Sequence, residues 1–148
     1  MSKVLYFPFL SLCLLLCLIS CKKADPDPDP LQLLTGKVWQ MNEIRYLQNN
    51  TSYYYKRGGN GNNVNFDDAI IKFNLDGTGT TNWQGNSVSF TWTFVNNDKT
   101  KIAYTLSSGD IRLINWDNVT YSESMLTYTE SYLRNGTNSL AQASRTPR

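Results

Sequence analysis

The stretch from Ser87 to Val95 limits the fold more than any other part of the chain. Val88, Phe90, Trp92 and Phe94 occupy one phase of a strict alternation, and Ser89, Thr91 and Thr93 occupy the other. Successive side chains of an extended strand point to opposite faces, so this stretch reads as a strand with one aromatic face and one hydroxyl face. Such a strand cannot bury its rings alone and needs neighbours.

The surrounding sequence supplies them. Ala69, Ile71, Phe73 and Leu75 share a face ahead of a hairpin signal at Asp76-Gly77, and the return strand turns at Gly85-Asn86. Asn96-Asn97-Asp98 leads into a strand with Ile102, Tyr104 and Leu106 inward, and Ser108-Gly109-Asp110 turns again. Ile111 to Tyr121 reads as one long strand or two short ones, interrupted around Asp117-Asn118. Met125 to Leu133 closes the series with Leu126, Tyr128 and Tyr132 on one face, and residues 135–148 show no pattern and are expected to be a flexible, disordered tail.

Ahead of this series, Asp29, Pro30 and Gly36 stand at N-cap, first-turn and terminating positions of a short Leu-rich helix. In the next strand Trp39 and Met41 fall in one phase and Ile44 and Tyr46 in the other, so a bulge near Asn42 to Glu43 is expected to turn both pairs inward. Gln48 to Phe66 carries so many Gly and Asn residues that it is expected to be a long loop. Within it, Tyr53, Tyr54, Tyr55, Lys56 and Arg57 set three aromatics beside two cations. Such a cluster can stack on sugar rings and hold anions, or one or two of its rings can plug the end of the domain.

The N-terminus bears on location. Val4 to Ile19 is almost wholly apolar and is followed at once by Lys22-Lys23, which is the layout of a secretory leader and too short for the roughly 20 residues of a bilayer span. Lys22 to Pro30 reads KKADPDPDP, a stiff extended spacer roughly 25 to 30 Å long. The three cysteines are Cys13, Cys17 and Cys21, and histidine is absent. That absence removes the commonest general base and the Ser-His-Asp and Cys-His arrangements, and loss of the leader removes any disulfide. Asp67-Asp68 would point to opposite faces of a strand, and Glu43, Glu123 and Glu130 show no partner in sequence and are expected to be solvated. No metal or cofactor site is read, and the reading is non-catalytic. The formal charge of +2, one unit of it on Lys3 in the leader, gives no field for nucleic acid.

Leu18-Ile19-Ser20-Cys21 resembles the lipobox of bacterial lipoproteins, which implies cleavage before Cys21 and acylation of that residue. Each buried methylene contributes about 0.8 kcal/mol to attachment, and two or three chains anchor stably. The short Leu-rich helix, Gly36-Lys37-Val38-Trp39, Asp67-Asp68 with Asp76-Gly77-Thr78, and the Phe90-Thr91-Trp92 strand resemble the lipocalin-like lipoproteins of Gram-negative bacteria over Leu31 to Leu133. The resemblance implies an all-β, antiparallel up-and-down barrel of about seven or eight strands at the outer membrane, on its periplasmic face or at the cell surface.

The expected division is a leader over 1–20, the acylated cysteine and tether over 21–30, the barrel over 31–134 and the tail over 135–148. Two functions compete: an interaction module that meets a glycan or an envelope protein through the 48–66 loop, and a carrier of a small apolar ligand in the lumen. Trp39, Phe73, Phe90, Trp92, Phe94, Tyr104 and Tyr128 all point inward on this reading. So many rings are expected to fill the deep half, leaving a shallow mouth below Tyr53 to Tyr55; a lumen above about 300 Å³ would favour the carrier.

Overall fold

The computed structural model describes residues 28–148 apart from 84, 110–112 and 135–136. The leader and Cys21 therefore lie outside the described residues, as does Asp110 of the expected turn.

Helix α1 spans Pro30–Thr35 and starts as its sequence dictates: Pro30 opens it, and the Asp29 carboxylate accepts from the Leu31 amide at 3.0 Å. Leu33 and Leu34 are buried, and the indole of Trp39 donates to the Leu34 carbonyl at 2.9 Å. The first strand thus ties the helix across one end of the barrel.

Nine strands follow: β1 Val38–Gln48, β2 Thr51–Lys56, β3 Ile70–Phe73, β4 Thr78–Trp83, β5 Asn86–Phe94, β6 Ile102–Leu106, β7 Leu113–Tyr121, β8 Leu126–Arg134 and β9 Thr137–Pro147. All pairings are antiparallel, and β9 returns to β1, so eight strands close an up-and-down barrel with β2 attached outside the cycle. One edge of β1 is shared: Val38, Trp39 and Gln40 pair with β3, while Glu43 to Gln48 pair with β2. The change of partner coincides with a register shift between Met41 and Glu43 against β9. The extra residue restores the inward phase, so Trp39, Met41 and Ile44 are all buried, as the bulge requires. A second shift falls between Asp117 and Thr120, where Asn118 has φ 53° and Val119 turns inward.

Two segments differ from the sequence reading. Residues 51–56, expected within a loop, form β2. Asn49 and Asn50, with φ 50° and 62°, make the left-handed two-residue turn that matches the twist of paired strands. The Asn and Gly residues beyond β2 are not slack either. Asn63 accepts from the Tyr54 amide at 2.8 Å and donates to the Ser52 carbonyl at 3.0 Å, while Asn62 does the same for the amide and carbonyl of Lys56 at 2.8 and 3.0 Å. Two side-chain amides therefore occupy the outer edge of β2 where another strand would pair.

The expected tail is β9, which pairs with β8 from Leu126↔Arg145 to Arg134↔Thr137 and with β1 from Trp39↔Pro147 to Leu47↔Leu140. Its inward residues are Ser139, Ala141, Ala143 and Arg145, all buried. Small and charged residues at the inward positions give no apolar alternation, which is why the strand escapes a pattern search.

The core is aromatic, as expected. Trp39, Phe73, Phe90, Trp92, Tyr104 and Tyr128 are buried, and Phe94 is half-buried against the Trp92 ring. Trp116 joins them at the centre, stacked on Tyr128 at 3.7 Å between ring centroids and edge-on to Phe73 and Tyr104. Gly79 makes this packing possible. It faces Phe90 across the β4–β5 pair, and a Cβ there would lie 2.2 Å from the Phe90 ring and 2.5 Å from the Lys72 carbonyl oxygen. Gly79→Ala is expected to destabilise by about 1 to 3 kcal/mol through overpacking. Urea unfolding checks this, and a midpoint equal to that of the parent would contradict the packing described.

The two ends differ. The β3–β4, β5–β6 and β7–β8 connections share an end with α1, where Lys99 meets Asp29 at 2.6 Å and Lys37 pairs with Glu123. The opposite end carries the β1–β2 turn and the cavity described next.

Candidate functional site

The sequence-derived cluster does not converge. Alternation along β2 sends Tyr53 and Tyr55 one way and Tyr54 and Lys56 the other. Tyr55 is buried against Phe66 and donates to the Asp67 carboxylate at 2.6 Å; burial first, and then that bond, raise its phenol above the ordinary tyrosine range. Tyr53 stacks on Tyr46 at 4.7 Å, whereas Tyr54 lies on the outer face beneath Arg45 at 4.9 Å, and Lys56 is exposed. Arg57 braces the turn through bonds to the carbonyls of Met41 at 2.8 Å and Asp67 at 3.0 Å. One tyrosine is thus buried against Phe66, one lies against its neighbour, and only Tyr54 and Lys56 share an outward surface. Asp67 is used locally by Tyr55 and Arg57, and no group of three acidic, cysteine or histidine residues that could hold a metal occurs among the described residues.

Above the aromatic layer, toward the open end, the barrel encloses a cavity of about 120 Å³. Its apolar wall includes Met41, Ile44, Phe66, Leu106, Ile114 and Ala141, and it is well below the roughly 300 Å³ that would favour a lumen carrier of an apolar ligand. The filled deep half and small mouth agree with the inward phase of the aromatics. Glu130, Tyr104 and Arg145 are the titratable side chains that set its chemistry, with Tyr128 bonded to Arg145 behind them.

Register explains why two charges are inside. Leu126, Tyr128, Glu130 and Tyr132 alternate along β8, so Glu130 shares the inward phase and lies opposite Trp116 and Ala141. Its carboxylate accepts from the Trp116 indole at 2.8 Å and from the Tyr104 hydroxyl at 3.4 Å. This corrects its expected solvated state. Burial pushes the carboxyl above its usual range, and the Trp116 N–H, the Arg145 charge and the Tyr104 hydroxyl act in the opposite direction. The phenols of Tyr104 and Tyr128 are also raised, chiefly by burial, and both stay protonated and able to donate.

Arg145 is 6% exposed and lies above the stacked pair, with its guanidinium carbon 5.9 Å from the Trp116 ring centre and 6.0 Å from that of Tyr128. Its Nε donates to the Tyr128 hydroxyl at 2.7 Å, and a terminal nitrogen reaches the Ala69 carbonyl at 3.4 Å. The inward alanines of β9 leave the space it occupies. Asn82 contributes to the same wall, and its Oδ1 is buried without a hydrogen-bond partner among the described residues. Sequence reasoning missed Arg145 and Trp116 altogether, and for Glu130 the signal was present in the phase of β8.

A larger depression, about 400 Å³, lies on the outer wall among Glu43, Arg45, Thr127, Thr129, Gln142 and Ser144. It is shallow and walled by polar side chains in contact with water, so the inner cavity is the better-formed site.

No protein-family model matches the chain, and no curated protein is similar to it in sequence. The fold and the cavity define a small eight-stranded antiparallel barrel, plugged at one end and carrying a mixed polar and apolar site at the other. That architecture is compatible with a lipocalin-like fold.

Proposed function

We propose that this chain is a non-catalytic binding protein, tied to a bacterial outer membrane by acyl chains on Cys21, that takes a compact amphipathic ligand into the mouth of its barrel. The observation that carries the reading is the cavity beside Arg145 and Glu130. A cavity of about 150 Å³ takes a six-membered ring, so this volume of about 120 Å³ offers room for on the order of five non-hydrogen atoms. That suits a small molecule or the end of a larger one, not an enclosed acyl chain.

The Leu18-Ile19-Ser20-Cys21 stretch supports the anchor. The described chain begins beside α1, at the end opposite the mouth. A second reading, recognition of a glycan or an envelope protein on the outer wall, draws on the half-exposed Tyr54 beneath Arg45 with Lys56 nearby.

Native mass spectrometry of the protein extracted from its own envelope tests the proposal. The expected mass is that of the chain from Cys21 onward with its acyl groups, plus a small molecule released when the protein unfolds. An unacylated chain would remove the anchor, and an acylated chain with nothing retained would favour the outer-wall reading.

A further inference from the structure

The cavity holds two opposite charges that do not meet. None of the described ion pairs joins Arg145 to Glu130, although both line the same space. Each is only partly satisfied. The guanidinium spends its Nε on Tyr128 and one terminal nitrogen on a long bond to Ala69, and its other terminal nitrogen has no partner among the described residues. The carboxylate takes both of its described bonds, from Trp116 and Tyr104, on Oε2, and Oε1 takes none.

Arg145 is buried and Glu130 half-buried, and charges withdrawn from bulk water and short of partners cost more than fully exposed ones. A barrel whose other inward positions are mostly aliphatic and aromatic has no packing need for either charge. The arrangement makes sense when a guest supplies what is missing: an acceptor for the free terminal nitrogen of Arg145 and a donor for the free oxygen of Glu130.

The geometry points to a compact zwitterion, an α-amino acid with an apolar side chain, as the occupant of the cavity, its carboxylate on Arg145 and its ammonium on Glu130. The size agrees for the charged head, whose ammonium, α-carbon and carboxylate bring about five non-hydrogen atoms to a space with room for about that many, the side chain lying toward the open mouth. The apolar wall agrees as well, because Met41, Ile44, Phe66 and Leu106 offer the side chain a place out of water. This inference rests on the reading that the mouth cavity is the binding site.

Calorimetric titration of the full acylated protein in detergent tests it with three probes of one shape. Free leucine carries both charges, isocaproate lacks the ammonium and isoamylamine lacks the carboxylate. Leucine is expected to bind, and each of the others about tenfold or more weakly, since each loses one charged hydrogen-bonded contact. Glu130→Gln is expected to weaken leucine by a similar factor while sparing isocaproate. Arg145→Lys keeps the cation but loses the fork and is expected to weaken leucine and isocaproate together; the near-ultraviolet circular dichroism of both variants verifies that they fold. Isocaproate binding as tightly as leucine would overturn the zwitterion and leave the cavity reading intact. Silence from all three probes overturns the zwitterion, and it overturns the cavity reading too if the envelope-extracted protein retains no small molecule.

Discussion

A chain ending at residue 136 is expected not to fold. Strand β9 is held on both sides, by β8 from Leu126 to Arg134 and by β1 from Trp39 to Leu47, so removing it opens the barrel instead of trimming it. Two long edges would lose their partners, and Arg145 would no longer meet Tyr128 above the central stack. A small domain has only about 5 to 15 kcal/mol of net stability, and loss of an interior strand exceeds that margin. The expected observation is a truncated protein without a cooperative urea transition and without the near-ultraviolet signal of packed aromatics. A cooperative transition with the parent's midpoint would show β9 to be dispensable, contrary to the closure described.

Trp116→Ala is expected to have the largest effect of any single substitution. The side chain is 0% exposed, stacks on Tyr128 at 3.7 Å and meets Phe73 and Tyr104 edge-on. Truncating a buried tryptophan costs about 3 to 5 kcal/mol. The indole also donates to the half-buried Glu130, and loss of that charge-assisted bond costs about 1 kcal/mol more. Trp116→Phe separates the two contributions, because it keeps most of the ring area and abolishes the N–H. Its urea midpoint is expected to fall between those of the parent and the alanine variant. An alanine variant within about 1 kcal/mol of the parent would mean that the central stack contributes little.

The barrel was legible wherever inward residues are large. Val88, Phe90, Trp92 and Phe94 announce β5 because a ring or branched side chain stands at every second position, and Trp39, Met41, Ile44 and Tyr46 announce even the bulge in β1. Legibility failed where the inward residues are small, as with Ser139, Ala141 and Ala143, since the alternation then carries no hydrophobic contrast. It failed again in β2, where Asn and Gly on either side concealed three consecutive tyrosines at strand spacing.

The site was less legible than the fold, for a related reason. A charge is assigned to solvent by default, because burying one is costly. Glu130 and Arg145 break that default only in company with Trp116, Tyr104 and Tyr128, which come from other positions on three strands. Nothing in the local sequence brings those partners together. The tyrosine and cation run from Tyr53 to Arg57 misled in the opposite direction: its residues are adjacent in sequence, and the pleat separates them.

The covered edge of β2 has a chemical lifetime as well as a geometry. A cylinder has no free border, and this hairpin, lying outside the cycle, is kept from templating onto other chains by the amides of Asn62 and Asn63. Asparagine is among the thermolabile residues, and hydrolysis would turn an N–H₂ donor into a second carboxylate oxygen facing the carbonyl of Ser52 or Lys56. Repulsion would then lift the Asn62-Asn63 segment and bare the edge of β2. Hydrolysis at either of two known atoms would therefore loosen the border that covers this strand edge.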